Sequence, residues 1–198
     1  RVGNSLQLLA SFVSLQQEGS GEAEQQILRE TELRVHAIAD VHATLYSQHQ
    51  LSHLPLSDYA YDLISDMAIA YRSEAEIEYR TEASVEAHID FAISFGIILN
   101  ELVTNAAKHG GLSNQRAQID VLLAEKGNEL SLTVRDSGAG FGSEFEAGIG
   151  TEVVDQLVRQ NEGRIERRSD NGAVVLAVFP ITTVIRDGPV RAIAGRSA

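Results

Sequence analysis

The sequence predicts an α+β fold in two parts: a helical hairpin over residues 1–50, then an α/β sandwich over 55–182, with a tail at 183–198. Three observations carry this expectation. Apolar residues recur at helical spacing on either side of Glu18-Gly19-Ser20-Gly21. Beyond residue 55, helical periodicity alternates with strand periodicity, the mark of an α+β sandwich. Finally, Lys126-Gly127-Asn128 and Asp170-Asn171-Gly172 stand between apolar runs, where antiparallel hairpins close.

In order, Leu6, Leu8, Leu9, Phe12, Val13 and Leu15 give an amphipathic helix from about Val2 to Gln17. Ile27, Val35, Ile38, Val41 and Leu45 stripe a second helix from Glu22 to Ser47, a stretch free of Gly and Pro. A lone hairpin buries too little apolar surface to stand by itself. It either pairs with a second copy or packs on the rest of the chain. Gln48 to Pro55 reads as a polar linker. Ser57 or Asp58 caps a third helix reaching Arg72, and Glu76 to Arg80 alternates as a strand. Ile89 to His109 is a long helix closed by Gly110-Gly111. Strands follow at Ile119–Ala124 and Leu130–Asp136, then a glycine-rich loop from Ser137 to Gly148. A helix at Thr151–Gln160 and a hairpin of Arg164–Arg168 with Ala173–Phe179 complete the sandwich. The tail after Pro180 has weak pattern.

Composition narrows the function classes. Lys and Arg number 16 against 28 Asp and Glu, a formal net charge of −12, which repels phosphate backbones and argues against nucleic acid as partner. The absence of cysteine excludes disulfides, thiol catalysis and thiolate metal sites. Continuous apolar runs such as Phe91–Leu99 fall well short of the ~20 residues that span a bilayer. With no signal peptide visible, the expectation is a cytoplasmic fragment without membrane contact, whose upstream part lies outside the sequence.

Three segments carry chemistry. Glu101, Asn105 and Lys108 fall at i, i+4 and i+7 on one helix face. A neutral amide oxygen suits Mg²⁺, an ammonium offsets phosphate charge, and a carboxylate can take a proton or hold a metal-bound water. The same residues also occur on ordinary solvated helix faces. Asp136-Ser137-Gly138-Ala139-Gly140-Phe141-Gly142 follows an apolar strand. There an acidic side chain can accept from a base amine, and glycines let backbone approach a flat ring; a tight surface turn has the same composition. Gly148-Ile149-Gly150-Thr151 opens a helix, whose first N–H groups can receive phosphate. It is not a P-loop, for no Gly-Lys-Ser/Thr follows at the required spacing.

The order of these three segments resembles the N, G1 and G2 boxes of the GHKL ATPase/kinase superfamily, whose fold is the Bergerat α/β sandwich. The resemblance extends upstream. Arg1-Val2-Gly3-Asn4-Ser5-Leu6-Gln7 looks like the opening of the second HisKA-type dimerisation domain, and Arg34 to Tyr46 is similar to its second helix. Ile98 to Ala106 matches the N box of the same branch. The resemblance therefore implies a sensor histidine kinase transmitter region. A dimeric four-helix bundle would form from two hairpins, followed by an ATP-binding domain. Its implied activity is ATP-dependent histidine autophosphorylation and transfer to an aspartate of a response regulator receiver domain. A phosphotransfer adaptor with a degenerate ATP site and a phosphatase-biased member are the alternatives.

Carried over residue by residue, the resemblance implies that Asn105 holds Mg²⁺, Glu101 lies near the γ-phosphate as a catalytic group and Lys108 touches phosphate. Asp136 would read adenine with Gly138 and Gly140 beside it, and Gly148, Gly150 and Thr151 would shape the phosphate end. The phosphoacceptor histidine is expected immediately before Arg1. Asn4 would then sit one turn after it and position a hydrolytic water. The chain departs from the family pattern in its five-residue loop 143–147, which makes a short ATP lid. Asn161-Glu162-Gly163 replaces paired glycines, and Ala173 stands where threonine is common. His36 and His42 fall on the non-accepting helix, His49 and His53 in the linker. No pair has metal-site spacing with acidic or cysteine partners.

Overall fold

The structure, a computed structural model, describes residues 52–112, 115–142 and 148–186. The helices expected over 2–17 and 22–47, with Asn4, the lid loop 143–147 and the tail beyond 186, lie outside the described residues.

The polar linker ends earlier than its composition suggests. His53–Pro55 forms a strand, β1, ahead of helix α1 (Leu56–Ala70). Then come β2 (Ala75–Glu82), β3 (Glu86–His88) and helix α2 (Ile89–His109). Strands β4 (Ala117–Lys126) and β5 (Glu129–Asp136) follow, then helix α3 (Ile149–Gln160), β6 (Arg164–Ser169), β7 (Ala173–Pro180) and a one-turn helix α4 (Ile181–Val184). β1 and β3 form a separate two-stranded antiparallel ladder, with His53 opposite His88 and Leu54 opposite Ala87. Neither strand is long enough to announce itself in the sequence.

The main sheet runs β2-β4-β5-β7-β6. It is mixed rather than wholly antiparallel, because β2 pairs parallel to β4, with Ala75 opposite Ala117 and Ile77 opposite Ile119. The long α2 crossover makes this pairing possible, since parallel neighbours need a connection of a dozen or more residues. Ile119, Val121 and Leu123 of β4, Leu130, Leu132 and Val134 of β5, and Ala177 and Phe179 of β7 turn to the helical layer and are nearly fully buried.

Helix α1 begins before the expected cap. Pro55 occupies the N-cap position with no side-chain capping bond, and Leu56 is the first helical residue. The reason is tertiary. Leu56 is fully buried and its N–H is already bonded to Val85 O, so the helix needs no Ser57 or Asp58 cap. Leu56, Tyr59, Ala60, Leu63, Ile64 and Met67 make one buried stripe at helical spacing. The helix stops at Ala70, two residues short of Arg72.

Helix α2 has the length and apolar character of a bilayer span, but 67% of its most apolar window is buried inside the sandwich. It is the central core helix. Its contact with α1 depends on Gly96, where an added Cβ would lie 2.1 Å from Tyr59 Oη and 3.1 Å from Tyr59 Cζ. Tyr59 is itself buried, so the ring can yield only by repacking its neighbours. Gly96→Ala gains about 1 kcal/mol of helix propensity, against about 1–3 kcal/mol for overpacking. The expected outcome is a lower denaturant midpoint for Gly96→Ala and recovery in the Gly96→Ala/Tyr59→Phe double variant. A neutral single variant would show that the contact imposes no packing constraint.

Residues 181–185, just past Pro180, are built into the sandwich despite their weak pattern. Val184 is fully buried, and Thr183 Oγ1 donates to Glu162 Oε2 at 3.0 Å. His53 Nε2–H donates to Ile185 O at 2.9 Å, which leaves His53 Nδ1 to accept from Ser52 Oγ.

Candidate functional site

Helix α2 supplies the first wall. Glu101 is buried to 5% exposure, Asn105 is half-buried and Lys108 is exposed at the helix end. The predicted face is therefore graded, running from core at Glu101 to solvent at Lys108. Thr104 lies on the same side, also buried, and shares a 3.2 Å hydrogen bond with Tyr71, the residue that ends α1. The graded burial suits a ligand whose charged end enters from the open side, and an amide beside a carboxylate is a hard oxygen donor set of the kind Mg²⁺ takes.

The C-terminal turn of α2 meets the end of β5. Gly110 is the C-cap, in an ordinary αR conformation, so the glycine is not there for a left-handed turn. Its role is closeness: a Cβ would lie 2.4 Å from Ala106 O and 2.6 Å from Asp136 Cβ. Gly138 is equally confined, with His109 O at 2.6 Å and Gly110 Cα at 2.9 Å from an added Cβ. Ser137 stitches the corner, donating from Oγ to Gly110 O at 3.1 Å and accepting from Gln118 N–H at 3.0 Å. Gly140 has φ +78 and packs on Ser169 and Gly172. Gly138 and Gly140 are thus demanded by the protein's own contacts, a cause distinct from the ring approach expected of them.

Asp136 sits at this corner at 8% exposure. Its Oδ1 accepts from Gly138 N–H at 2.8 Å and from Ala173 N–H at 3.0 Å. The backbone of Ala173 makes this second bond whatever its side chain, so the missing threonine hydroxyl does not cost the carboxylate its anchor.

At the far side, Gly148 is the extended N-cap of α3, with no side-chain cap and open space around its α-carbon. Gly150 and Thr151 lie in the first turn, half-buried. Helix α3 packs on α2 and is tied to β6 by the Arg167–Asp155 ion pair at 2.5 Å. The structure thus brings the His109–Gly110 end of α2, Asp136 and Gly138 together at one corner, with Gly140 beside it against Ser169 and Gly172, while Lys108 is exposed one residue before His109. Asn105 lies one helical turn back from that corner and Glu101 two. The sequence reading misses Thr104, Ser137, Gly110 and the Ala173 N–H. Thr104 and Ser137 lie inside the segments singled out and Gly110 in the Gly110-Gly111 helix stop, but none was assigned a part in the site, and the Ala173 N–H had no signal at all.

Two family signatures cover most of the chain. Residues 1–71 match HisKA_2, described as histidine kinase. Residues 92–183 match the family described as histidine kinase-, DNA gyrase B-, and HSP90-like ATPase. The chain belongs to the histidine kinases. It is a transmitter region of that family, a dimerisation domain followed by an ATPase domain. The first signature of this kinase chain runs on through α1, whose apolar stripe is part of the sandwich core. Sensor histidine kinase YvrG of Bacillus subtilis is 30% identical over 116 residues, 46% of this chain; the kinase chain spans only 20% of that relative's length. Among solved structures, the histidine kinase domain of the blue-light activated histidine kinase of Erythrobacter litoralis superposes with a TM-score of 0.68 at 17% identity, covering 91% of this chain and 97% of that one. Histidine kinase AdeS of Acinetobacter baumannii gives 0.58 at 12% identity over 90% and 96%. These likenesses show the fold, α+β with the GHKL sandwich after a helical region.

Proposed function

We propose that this chain is the catalytic end of a two-component sensor histidine kinase. It transfers the γ-phosphoryl of ATP to a histidine, and from there to an aspartate of a response regulator receiver domain. The observation that supports the reading is the corner where the Gly110 end of α2 meets the pinned carboxylate of Asp136, inside the region that matches the ATPase family. Asp136 accepts from the adenine amine, while Gly138 and Gly140 close the adjacent backbone. Lys108 and the N–H groups of Gly148, Gly150 and Thr151 receive phosphate oxygens. Asn105 holds Mg²⁺, which when bound neutralises phosphate charge. In the transfer the bond from the γ-phosphorus to the bridging oxygen breaks, a phosphorus–nitrogen bond forms at the imidazole, and Glu101 takes the imidazole proton.

The acceptor histidine is the one the resemblance places immediately before Arg1, and Asn4 aligns the water that later hydrolyses the regulator's phospho-aspartate. Two hairpins associate as a homodimer in the cytoplasm. The test is calorimetry of the full chain with a non-hydrolysable ATP analogue and Mg²⁺. Asn105→Ala is expected to weaken binding at least about tenfold, the equivalent of ~1.4 kcal/mol, with an unchanged melting curve. Equal affinities would remove Asn105 from the site. No binding to folded wild type would favour the phosphotransfer adaptor, the reading to which the short loop 143–147 points.

A further inference from the structure

We propose that Asp170 is a positioning residue for the Asp136 carboxylate, holding the β6–β7 turn so that the Ala173 N–H fixes which oxygen of Asp136 faces the nucleotide base. The inference rests on Asp136 being the base-reading residue.

The two donors on Asp136 Oδ1 differ in origin. Gly138 N–H comes from two residues along the same loop, and its bond is a local Asx-type turn. Ala173 N–H comes from a different strand, 37 residues away in sequence. Ala173 opens β7 directly after the turn Asp170-Asn171-Gly172, opposite Ser169, so the turn and the first rung of the ladder together place its N–H. That turn places Asn171 at φ +49 and Gly172 at φ +132, conformations these two residue types adopt readily, so the turn closes easily but its position against β5 is left to its fastenings.

Asp170 supplies those fastenings. Its N–H donates to Gly172 O at 2.9 Å, closing the turn from within. Its Oδ2 accepts from Arg135 Nη2 at 2.5 Å and from Arg168 Nη1 at 3.1 Å, fastening the turn to β5 and β6. Arg135 directly precedes Asp136, so the two side chains lie on opposite faces of the sheet. The ion pair on the outer face and the recognition carboxylate on the inner face thus act on the same turn from two sides of one strand.

The chemical consequence concerns selectivity. With Oδ1 occupied by two N–H groups, Oδ2 is the acceptor left for a base. Adenine offers an amine donor where guanine offers a carbonyl acceptor. A carboxylate held in one orientation cannot retreat from the guanine carbonyl, whereas one released from Ala173 can rotate away. Arg135 and Asp170 are about 40% exposed and Arg168 more so. Exposed pairs contribute little to global stability, so the clamp can be cut while the fold stands.

The experiment measures equilibrium binding of ATP, GTP and inorganic triphosphate to the full wild-type chain, Asp170→Ala, Arg135→Ala and the double variant, beside their melting curves. Asp170→Ala is expected to lose about tenfold in ATP affinity and to narrow the ATP-to-GTP ratio by a similar factor. Triphosphate affinity should stay put. Arg135→Ala should move the ratio the same way, and the double variant no further than the larger single change. If Asp170→Ala fails to fold, Arg135→Ala carries the test. A folded variant with an unchanged ratio overturns the proposal, as does a ratio change matched by an equal loss of triphosphate affinity. A wild type that binds ATP and GTP equally refutes base reading by Asp136 itself, and this proposal with it.

Discussion

Alanine at Gly172 is expected to unfold a large fraction of the molecule's stability margin and to remove nucleotide binding at the same time. An added Cβ would lie 1.8 Å from Asp136 O and 2.8 Å from Asp136 C, both backbone atoms in the sheet, which have no rotamer by which to yield. Gly172 also holds φ +132, where an L side chain is strained whatever the space. Strain of about 1–3 kcal/mol adds to a similar overpacking cost. The sum, about 2–6 kcal/mol, rivals the whole stability of a small domain. Gly127 is the control. It too has a positive φ, +61, but nothing lies within 4 Å of an added Cβ. Gly127→Ala should therefore lose only the backbone strain. Chemical denaturation of the two variants separates the terms, and equal losses would mean that the approach to Asp136 is not the constraint.

The second large effect is expected at Asp136 itself. Asp136→Asn keeps an oxygen that can accept from both Gly138 and Ala173, so the corner stays assembled and the melting curve moves little. The position of Oδ2 becomes an NH₂ group, a donor set against the adenine amine. A charge-assisted bond is replaced by an unpaired, opposed contact, and ATP affinity should fall by about 100-fold or more. GTP, whose carbonyl the new amide can meet, should lose less. Asp136→Ala differs because it strips the acceptor from two backbone N–H groups at once, and so should lower stability as well as affinity. An Asp136→Asn chain that binds ATP as tightly as wild type would show that the carboxylate serves the fold alone.

The helices α1, α2 and α3 were legible because their buried residues recur at helical spacing and each is long enough for several turns. The four antiparallel strands were legible because they alternate and are joined by strong turn signals. What escaped was set by distant partners. The three-residue strands β1 and β3 exist only because they pair with each other. The start of α1 shifted because Leu56 N–H is satisfied by Val85, 29 positions away in the chain. The parallel pairing of β2 depends on where α2 delivers the chain, which alternation cannot reveal. At the site, side-chain identities on one helix face or in one loop could be read directly. The Ala173 N–H could not, because a backbone donor carries no letter in the sequence. Glu162 shows the same blindness from the other side. It adopts φ +56 at the end of α3, where glycine is the easy choice, and its carboxylate is held by Thr183 and Arg186. A departure from the family pattern thus became a fastening.

The bond from His53 to Ile185 has a consequence for how such a domain can be moved about. It places the first strand of the sandwich against its last turn, across 132 positions of sequence. A unit whose two ends leave at the same corner behaves as a cassette: it can be inserted behind a different helical stalk, or joined end to end and reopened at an exposed turn such as Gly127-Asn128, without reordering a single strand of its sheet.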